Sequence, residues 1–396
     1  MRLLFLLTQD LESPSGLGRY WPLARELTRR GHNTTIVALH PNFESLSTRH
    51  FVQQGVSIRY VGPMHVRKRG SQKSYYKGYQ LLFTTLRSII ALTLAALLTP
   101  ADIIYVCKPH PMNSIAGFLV RYLRNKLLFV DCDDYEAASN RFSNRCQKEI
   151  ITWFEKWAPK LANKVTTNTF FMMDKLISWG VPQNKIFYLP NGVDLTRFVT
   201  PPKKKIEELR DKLGLRDKKV VAYIGSLSLI SHAVDLLLQA FAIVHSEIPN
   251  SVLLIVGSGE DMDQLKQLAQ ILNLGKSVIF FGKVPPEEVV NYYYLADVTV
   301  DPVRDEEAAR GRAPLKLFES WACGVPVVTA DVGDRKILAG EPPSIFLVKP
   351  SSHTDLSHAI KEVLTNGNLA EELRQIGANR TKEYTWDRLI NQVEFL

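Results

Sequence analysis

Four cysteines in 396 residues, Cys107, Cys132, Cys146 and Cys323, include no C-x-x-C pair. That spacing supports neither a zinc site nor a disulfide framework, and it suits a reducing, cytosolic compartment. Low-complexity tracts and short tandem repeats are also missing. With 45% hydrophobic and 22% charged residues, the chain is neither disordered nor collagen-like. The amino terminus lacks a long apolar run. Only five apolar residues follow Arg2 in MRLLFLLTQD, too few for a secretory signal and enough for a first strand. Acidic residues are scarce early on. Residues 1–145 hold 9 Asp+Glu against 19 Lys+Arg, whereas 146–396 hold 31 against 30, so the net charge of +9 originates in the first third. A one-sided basic surface implies an anionic partner: membrane headgroups, a phosphorylated substrate or nucleic acid. No nucleic-acid motif accompanies it, so nucleic acid is not an expected partner.

What the chain does have is a βα rhythm, at a length that suits two domains. Apolar strands at 3–8, 34–39, 103–107, 127–130 and 164–167 alternate with amphipathic helices, and a break follows near Asn191. A second series places strands at 220–224, 252–256, 278–281, 298–300, 325–329 and 345–348. The expected fold class is α/β: two doubly wound, Rossmann-like domains facing across a cleft, with ligands at the carboxyl ends of the strands. Residues 81–98 form an apolar stretch interrupted by Thr84, Thr85, Arg87, Ser88 and Thr93. They read as a buried or interfacial helix rather than a membrane span.

Glycines mark several strand ends. SPSGLGR follows the first strand, with Gly16 and Gly18 just before a helix, and such a strand, loop and helix start can cradle an anion. Trp21 occupies the third glycine position of a dinucleotide fingerprint, and no acid ends the next strand. The loop is therefore expected to admit a substrate to the backbone rather than to bind NAD; a simple tight turn is the alternative. Gly225 with Ser226, Gly257, and Gly282 with Lys283 and Val284 follow three later strands. The densest chemistry lies in RGRAPLKLFESWACGVPVVT, residues 310–329. Pro314 suits a first helical position and Gly324 the position past the helix end. Arg310, Arg312 and Lys316 gather at the helix start, where dipole and unpaired N–H groups favour a pyrophosphate. Glu319, one turn on, can accept two hydrogen bonds from a ribose diol. The alternative is an ordinary solvated helix end.

Asp131-Cys132-Asp133-Asp134 ends a strand in the first domain. An Asp-x-Asp pair can hold Mg2+ on a diphosphate, cap the helix from Tyr135 onward, or offer Asp133 or Asp134 to a sugar or acceptor. His110, in KPHPMNS at the end of the preceding strand, is a further candidate, although a lone histidine is more often structural.

In order and spacing these segments resemble the retaining, metal-independent glycosyltransferases of the GT-B fold, the group called family 4 or group 1. The likeness is carried by the first glycine loop with LARELTRRGH (23–32), LPNGVDLTRF (189–198) and YIGSL (223–227). LLIVGSGE (253–260), FFGKVPPEEV (280–289), ADVTVDP (296–302) and PLKLFESWACGVPVVT (314–329) complete it. The resemblance implies an acceptor domain over residues 1–195, a nucleotide-sugar donor domain over 196–378, and a last helix, 379–396, packing back on the first. It implies that Gly282, Lys283 and Val284 read the base through their backbone, that Glu319 holds the ribose, and that Leu315 and Lys316 hold the diphosphate. Gly225, Ser226, Gly257 and Gly311 complete the expected donor contacts. There are departures. Gly311 stands where the family often has the first of two glutamates, and Ser226 and His232 stand where Arg and Lys are usual. Arg310, Arg312 and Lys316 offer replacement charge.

The expected activity is retaining transfer from a UDP- or GDP-sugar to a lipid-linked or polysaccharide acceptor at the cytosolic face of the cell membrane. Lys316, Arg312, Asp133, Asp134 and His110 are the catalytic candidates. Charge grows on the β-phosphate as the nucleoside diphosphate leaves, so donors fixed there lower the barrier most, and neither metal nor cofactor is expected. Arg67, Lys68, Arg69, Lys73 and Lys77 precede the apolar stretch without an intervening acid, and are expected to dock the enzyme peripherally on anionic lipid. A GT-B sugar-nucleotide epimerase and a degenerate member that binds nucleotide sugar without turnover are the alternatives.

Overall fold

The computed structural model describes residues 1–69 and 72–393, the side chains of 69, 72, 73, 392 and 393 excepted. The chain forms two compact units. One is Met1–Asn191 with Gly311–Ala313 and Trp386–Leu396; the other is Gly192–Arg310 with Pro314–Thr385. The return to the first unit thus begins at Trp386 rather than at the expected residue 379, and residues 394–396 lie outside the described residues.

The first unit contains β1 (Arg2–Leu7), β2 (Asn33–His40), β3 (His50–Gln53), β4 (Val56–Pro63), β5 (Val66–Arg69), β6 (Gln72–Tyr75), β7 (Ile103–Cys107), β8 (Leu127–Cys132), β9 (Lys164–Thr167) and β10 (Ile186–Tyr188). Its main sheet has the order β10-β9-β8-β7-β1-β2-β4-β3. Every pairing is parallel except that of β3 with β4. Five consecutive apolar residues can stand in the middle of such a sheet because both faces are covered, and Leu3–Leu7 of β1 are all buried. The helices used below are α1 (Trp21–Arg29), α2 (Gly78–Leu98), α3 (Pro111–Arg124), α4 (Glu136–Ser139) and α5 (Arg145–Leu161). Gly117 lets α3 lie close on the sheet: a Cβ there would stand 2.6 Å from Cγ2 of Val106. Part of the basic stretch before α2 is a hairpin, β5 with β6.

The second unit has six strands: β11 (Lys219–Ile224), β12 (Ser251–Val256), β13 (Val278–Gly282), β14 (Val298–Asp301), β15 (Val327–Ala330) and β16 (Phe346–Val348). They are parallel, in the order β13-β12-β11-β14-β15-β16. Val221, Tyr223, Leu253 and Ile255 enter one apolar cluster, and Val220, Ile224, Leu254 and Val256 enter another. That alternation is the mark of a sheet covered on both faces. In each unit the strand order reverses once beside its first strand, between β1 and β7 and between β11 and β14. A crevice opens at the carboxyl ends of such a pair, where doubly wound sheets bind ligands.

Candidate active site

In the first unit the reversal point is pinned by Asn113. Its buried side-chain N–H2 donates to the carbonyls of Leu6 (3.0 Å), Cys107 (2.7 Å) and Lys108 (3.0 Å), tying the ends of β1 and β7 together. Lys108, the next residue after β7, takes a left-handed conformation with φ of 68°. A non-glycine residue held there in the interior stores backbone strain, a recurring mark of functional sites. Its Nζ donates to Asp134 at 2.6 Å and Glu136 at 2.6 Å, and lies 3.4 Å from Asp133. Glu136 also contacts Nε2 of His110 at 3.1 Å, and Nδ1 of His110 lies 2.8 Å from Oγ1 of Thr8, just past β1. Thr8, Asp133, Asp134 and Glu136 thus converge on His110 and one ammonium.

The electrostatics follow from burial. Leaving water disfavours the Lys108 cation, yet three carboxylates more than offset this and raise its pKa well above the ordinary value. Burial also disfavours the Glu136 carboxylate, but Lys108 and His110 hold its pKa far below the usual range. Asp133 is pushed up to about 7, first by burial and then, against the pull of Lys108, by the charges of Asp134 and Asp131. Asp131 does not share the ammonium. Its carboxylate takes a bidentate grip from buried Arg19 at 2.7 and 2.8 Å, and accepts from Thr166 at 2.5 Å.

Of the readings of the acidic run, helix capping is overturned. The first-turn N–H groups of α4 at Glu136 and Ala137 donate to Glu155, at 2.7 and 3.1 Å. Oxygens of Asp133, Asp134 and Glu136 lie within 4.8 Å of one another, close enough to share a cation, and the Lys108 ammonium already sits against all three. The loop at Gly16 and Gly18 is bonded in part to its own residues. The N–H of Gly16 donates to Oγ of Ser13 at 3.2 Å and that of Leu17 to the Ser13 carbonyl at 2.8 Å. Residues Gly16–Tyr20 form a wide π-turn running into α1, and the Gly18 carbonyl accepts from the Trp386 indole at 3.0 Å.

In the second unit, Lys316 sits near the start of the Leu315–Ala322 helix, beside the end of β11. Its Nζ lies 3.1 Å from Oδ1 of Asp301 at the end of β14, and 4.3 Å from the centre of the Tyr223 ring. Gly225 is crowded on that side: a Cβ would stand 3.2 Å from the Tyr223 hydroxyl and 3.3 Å from the ammonium. Tyr223 fixes the turn by donating its hydroxyl to the Ser226 carbonyl at 2.6 Å. The glycine turns are bonded in series. The N–H of Gly225 donates to Val256 at 2.9 Å and that of Gly257 to Gly282 at 2.8 Å. Gly257, with φ of 139°, has no room for a side chain, since a Cβ would enter the Gly225 carbonyl oxygen. Glu319 accepts from the Tyr293 hydroxyl at 2.7 Å, Lys283 is exposed, and the Val284 side chain is buried in the core.

Three expectations around this helix change. Pro314 is the cap with extended ψ of 122°, and the helix starts at Leu315. Arg310 does not join the cluster: exposed, it pairs with Asp305 at 2.6 and 2.8 Å. Gly311 and Arg312 group with the first unit, where Asn191 donates to the neighbouring Ala313 carbonyl at 2.8 Å. A buried guanidinium beside Lys316 is that of Arg335, which binds Oδ2 of Asp301 at 2.8 and 3.0 Å. Lys108, Glu136, Thr8, Asn113, Asp301 and Arg335 were not singled out from the sequence. The available signal was an ionisable residue directly at the end of an apolar strand, present at Lys108 and Asp301.

The family described as Glycosyltransferase Family 4 matches residues 16–197, and Glycosyl transferases group 1 matches residues 205–380. A GDP-mannose-dependent alpha-(1-6)-phosphatidylinositol monomannoside mannosyltransferase from Mycolicibacterium smegmatis is 28% identical over 219 residues, 55% of this chain and 55% of that one. An alpha-monoglucosyldiacylglycerol synthase from Streptococcus pneumoniae is 31% identical over 217 residues, 51% of this chain and 47% of that one. The chain thus spans about half the length of these curated relatives. The structure of a sucrose-phosphate synthase from Thermosynechococcus elongatus matches with a TM-score of 0.80 at 19% identity, covering 100% of this chain and 98% of that one, a likeness of fold.

Proposed function

The chain belongs to the group 1 glycosyltransferases, with the GT-B fold, and we propose that it moves a sugar from a nucleotide-sugar donor to a lipid-linked or glycan acceptor with retention of configuration. The observation that carries this reading is the placement of Lys316. A buried ammonium beside three bonded glycine turns, at a strand-order reversal, is suited to a diphosphate. Glu319 lies on the same helix and suits a ribose diol. As the anomeric bond breaks, negative charge grows on the leaving phosphate, and a fixed ammonium there stabilises it without reorganisation. The acceptor proton can leave on the departing phosphate oxygen, so no protein base is obligatory.

In this reading the first unit receives the acceptor and the transferred sugar at Lys108, His110 and the carboxylates. The reaction runs without a metal; the Lys108 ammonium, seated on Asp133, Asp134 and Glu136, supports that assignment. The relatives whose names specify a phosphatidylinositol mannoside or a diacylglycerol support a lipid acceptor. A thermal-shift panel of UDP-, GDP- and ADP-sugars in EDTA tests donor binding. A ligand at a hundred times its Kd adds about 2.7 kcal/mol to the folded state. Stabilisation by one base class, lost in Lys316→Ala, is expected. Stabilisation undiminished in that variant would place the phosphates elsewhere.

A further inference from the structure

Helix α2 is built inside out. The stripe it turns to the protein is Thr84, Ser88, Leu92 and Ala96, mostly small or polar side chains. Ser88 donates to the Pro63 carbonyl at 2.7 Å, and Gly62 of β4 lies close against Ala91. The stripe it turns outward is Tyr79, Leu82, Phe83, Leu86, Ile90, Leu94 and Leu98, each at least half exposed. A surface helix in water has the opposite arrangement. Neighbouring α3 extends the apolar face with Leu119, Tyr122 and Leu123, of which Tyr122 is 86% exposed. Contiguous apolar surface of this kind marks a site of contact.

The charge around it selects the occupant. From Ser45 to Ala101 the sequence has no acid and eight Lys+Arg. Arg67 and Lys77 are exposed just before the helix, and Arg67 donates to the Tyr76 hydroxyl at 2.5 Å. Lys68 does not belong to the free basic patch, because it pairs with buried Asp10 at 2.7 Å; the side chains of Arg69 and Lys73 lie outside the described residues. Cations at one end of an apolar, tyrosine-bearing face fit an anionic lipid leaflet, where tyrosine favours the headgroup level. By length and composition α2 could cross a bilayer. Its inner stripe is packed on the sheet, however, and Arg124 binds the carbonyls of Leu97 and Thr99 at its end, so it suits lying in the interface.

We propose that α2 inserts its outward stripe into the acyl boundary of an anionic leaflet, with Arg67 and Lys77 on the headgroups. The consequence is orientation. Lys68 ties the hairpin to Asp10, three residues past β1, so the amino end of α2 lies at the same sheet end as Thr8, Lys108 and His110. The leaflet then borders the crevice of the first unit, where a lipid-linked acceptor presents its headgroup. This rests on the transferase reading for its purpose, not for its test.

The test is co-sedimentation of the full chain with phosphatidylglycerol–phosphatidylethanolamine vesicles, and with phosphatidylcholine vesicles as control. The comparison variant is Leu82→Glu/Leu86→Glu/Ile90→Glu, all at outward positions. Wild type is expected to bind the anionic vesicles, and the variant to bind on the order of tenfold more weakly or worse. The variant should keep its circular dichroism spectrum and its donor thermal shift. Arg67→Ala/Lys77→Ala should bind more weakly at low salt and lose part of the salt dependence. Equal binding by wild type and the triple variant overturns the proposal. So does a wild-type dimer that the triple variant splits while neither binds vesicles, since the face would then cover a second copy. Vesicle binding by a chain that no nucleotide sugar stabilises sinks the transferase reading and leaves the membrane face standing.

Discussion

Lys316 and Arg335 share one carboxylate: Oδ1 of Asp301 faces the ammonium at 3.1 Å, and Oδ2 holds the guanidinium at 2.8 Å. Asp301 is fully buried, and Thr329 donates to its backbone carbonyl at 2.7 Å. One carboxylate thus holds both cations in place, the ammonium beside Gly225. Asp301 therefore positions Lys316.

Removing either end of this arrangement should have different effects. Lys316→Ala should lose most of the donor-induced thermal shift with modest cost to the fold. Asp301→Ala leaves Arg335 buried without its counter-ion, and breaking such a pair costs about 3–5 kcal/mol. Urea unfolding separates the two: a variant at Asp301 as stable as wild type would contradict the pairing.

Gly257→Ala probes the glycine turns without touching charge. Its Cβ would drive into the Gly225 carbonyl, so the two strand-end turns must separate. Overpacking of this kind costs about 1–3 kcal/mol. The expected readout is a lower melting temperature together with a reduced donor shift; an unchanged shift would mean that the ligand does not use these turns.

The parts legible in the sequence were those that depend on local pattern. β1, β7, β11 and β12 are unbroken apolar runs, and Gly324 stops its helix with φ of 65°, as its position predicts. The β5–β6 hairpin was not legible because VRKR and QKSY lack an apolar alternation, and its register sets Lys68 opposite Lys73. The partners of charged groups were hidden for the same reason. Arg310 is close in sequence to Lys316, yet Asp305, five residues back, captures it. Arg335 reaches Asp301 across 34 residues, and Lys108 reaches Glu136 across 28, separations set only by the folded sheet. Arginines near a helix start attract a phosphate in principle; which one is present is decided by competing carboxylates.

Lys108 should matter to both fold and turnover. Lys108→Ala leaves three carboxylates crowded without their cation, and a loss of about 3–5 kcal/mol is expected. His110→Ala removes a group on the rim of the same cluster, so stability should change less. Turnover should fall by roughly 10²-fold or more if His110 handles a proton of the sugar or acceptor, while donor binding in the second unit persists. Loss of donor binding in His110→Ala would contradict that division of labour.

The buried carboxyls set a pH dependence. Asp133, ordinarily near 3.8, is raised to about 7, and Glu155, ordinarily near 4.5, is raised to about 8, each mainly by burial. For Glu155 the neighbouring Glu136 charge adds to the rise, and the two backbone N–H donors oppose it. A carboxyl with a raised folded pKa holds its proton in the native state after the unfolded chain has released it. Between the two pKa values the native state binds more protons, so stability falls as pH rises. The window runs from about 4 to 7 for Asp133 and from about 4.5 to 8 for Glu155. Glu136 acts oppositely: its folded pKa is depressed, so its contribution is present above 4.5 and fades in acid. A tenfold difference in proton affinity between folded and unfolded chain is worth about 1.4 kcal/mol, so the loss from pH 5 to 8 should be on the order of a few kcal/mol. Glu155→Gln keeps an acceptor for the Glu136 N–H and cannot ionise. Urea midpoints of this variant should decline less steeply between pH 5 and 8 than those of wild type. Parallel curves would mean that Glu155 ionises as it does in water, and that its burial is relieved in solution.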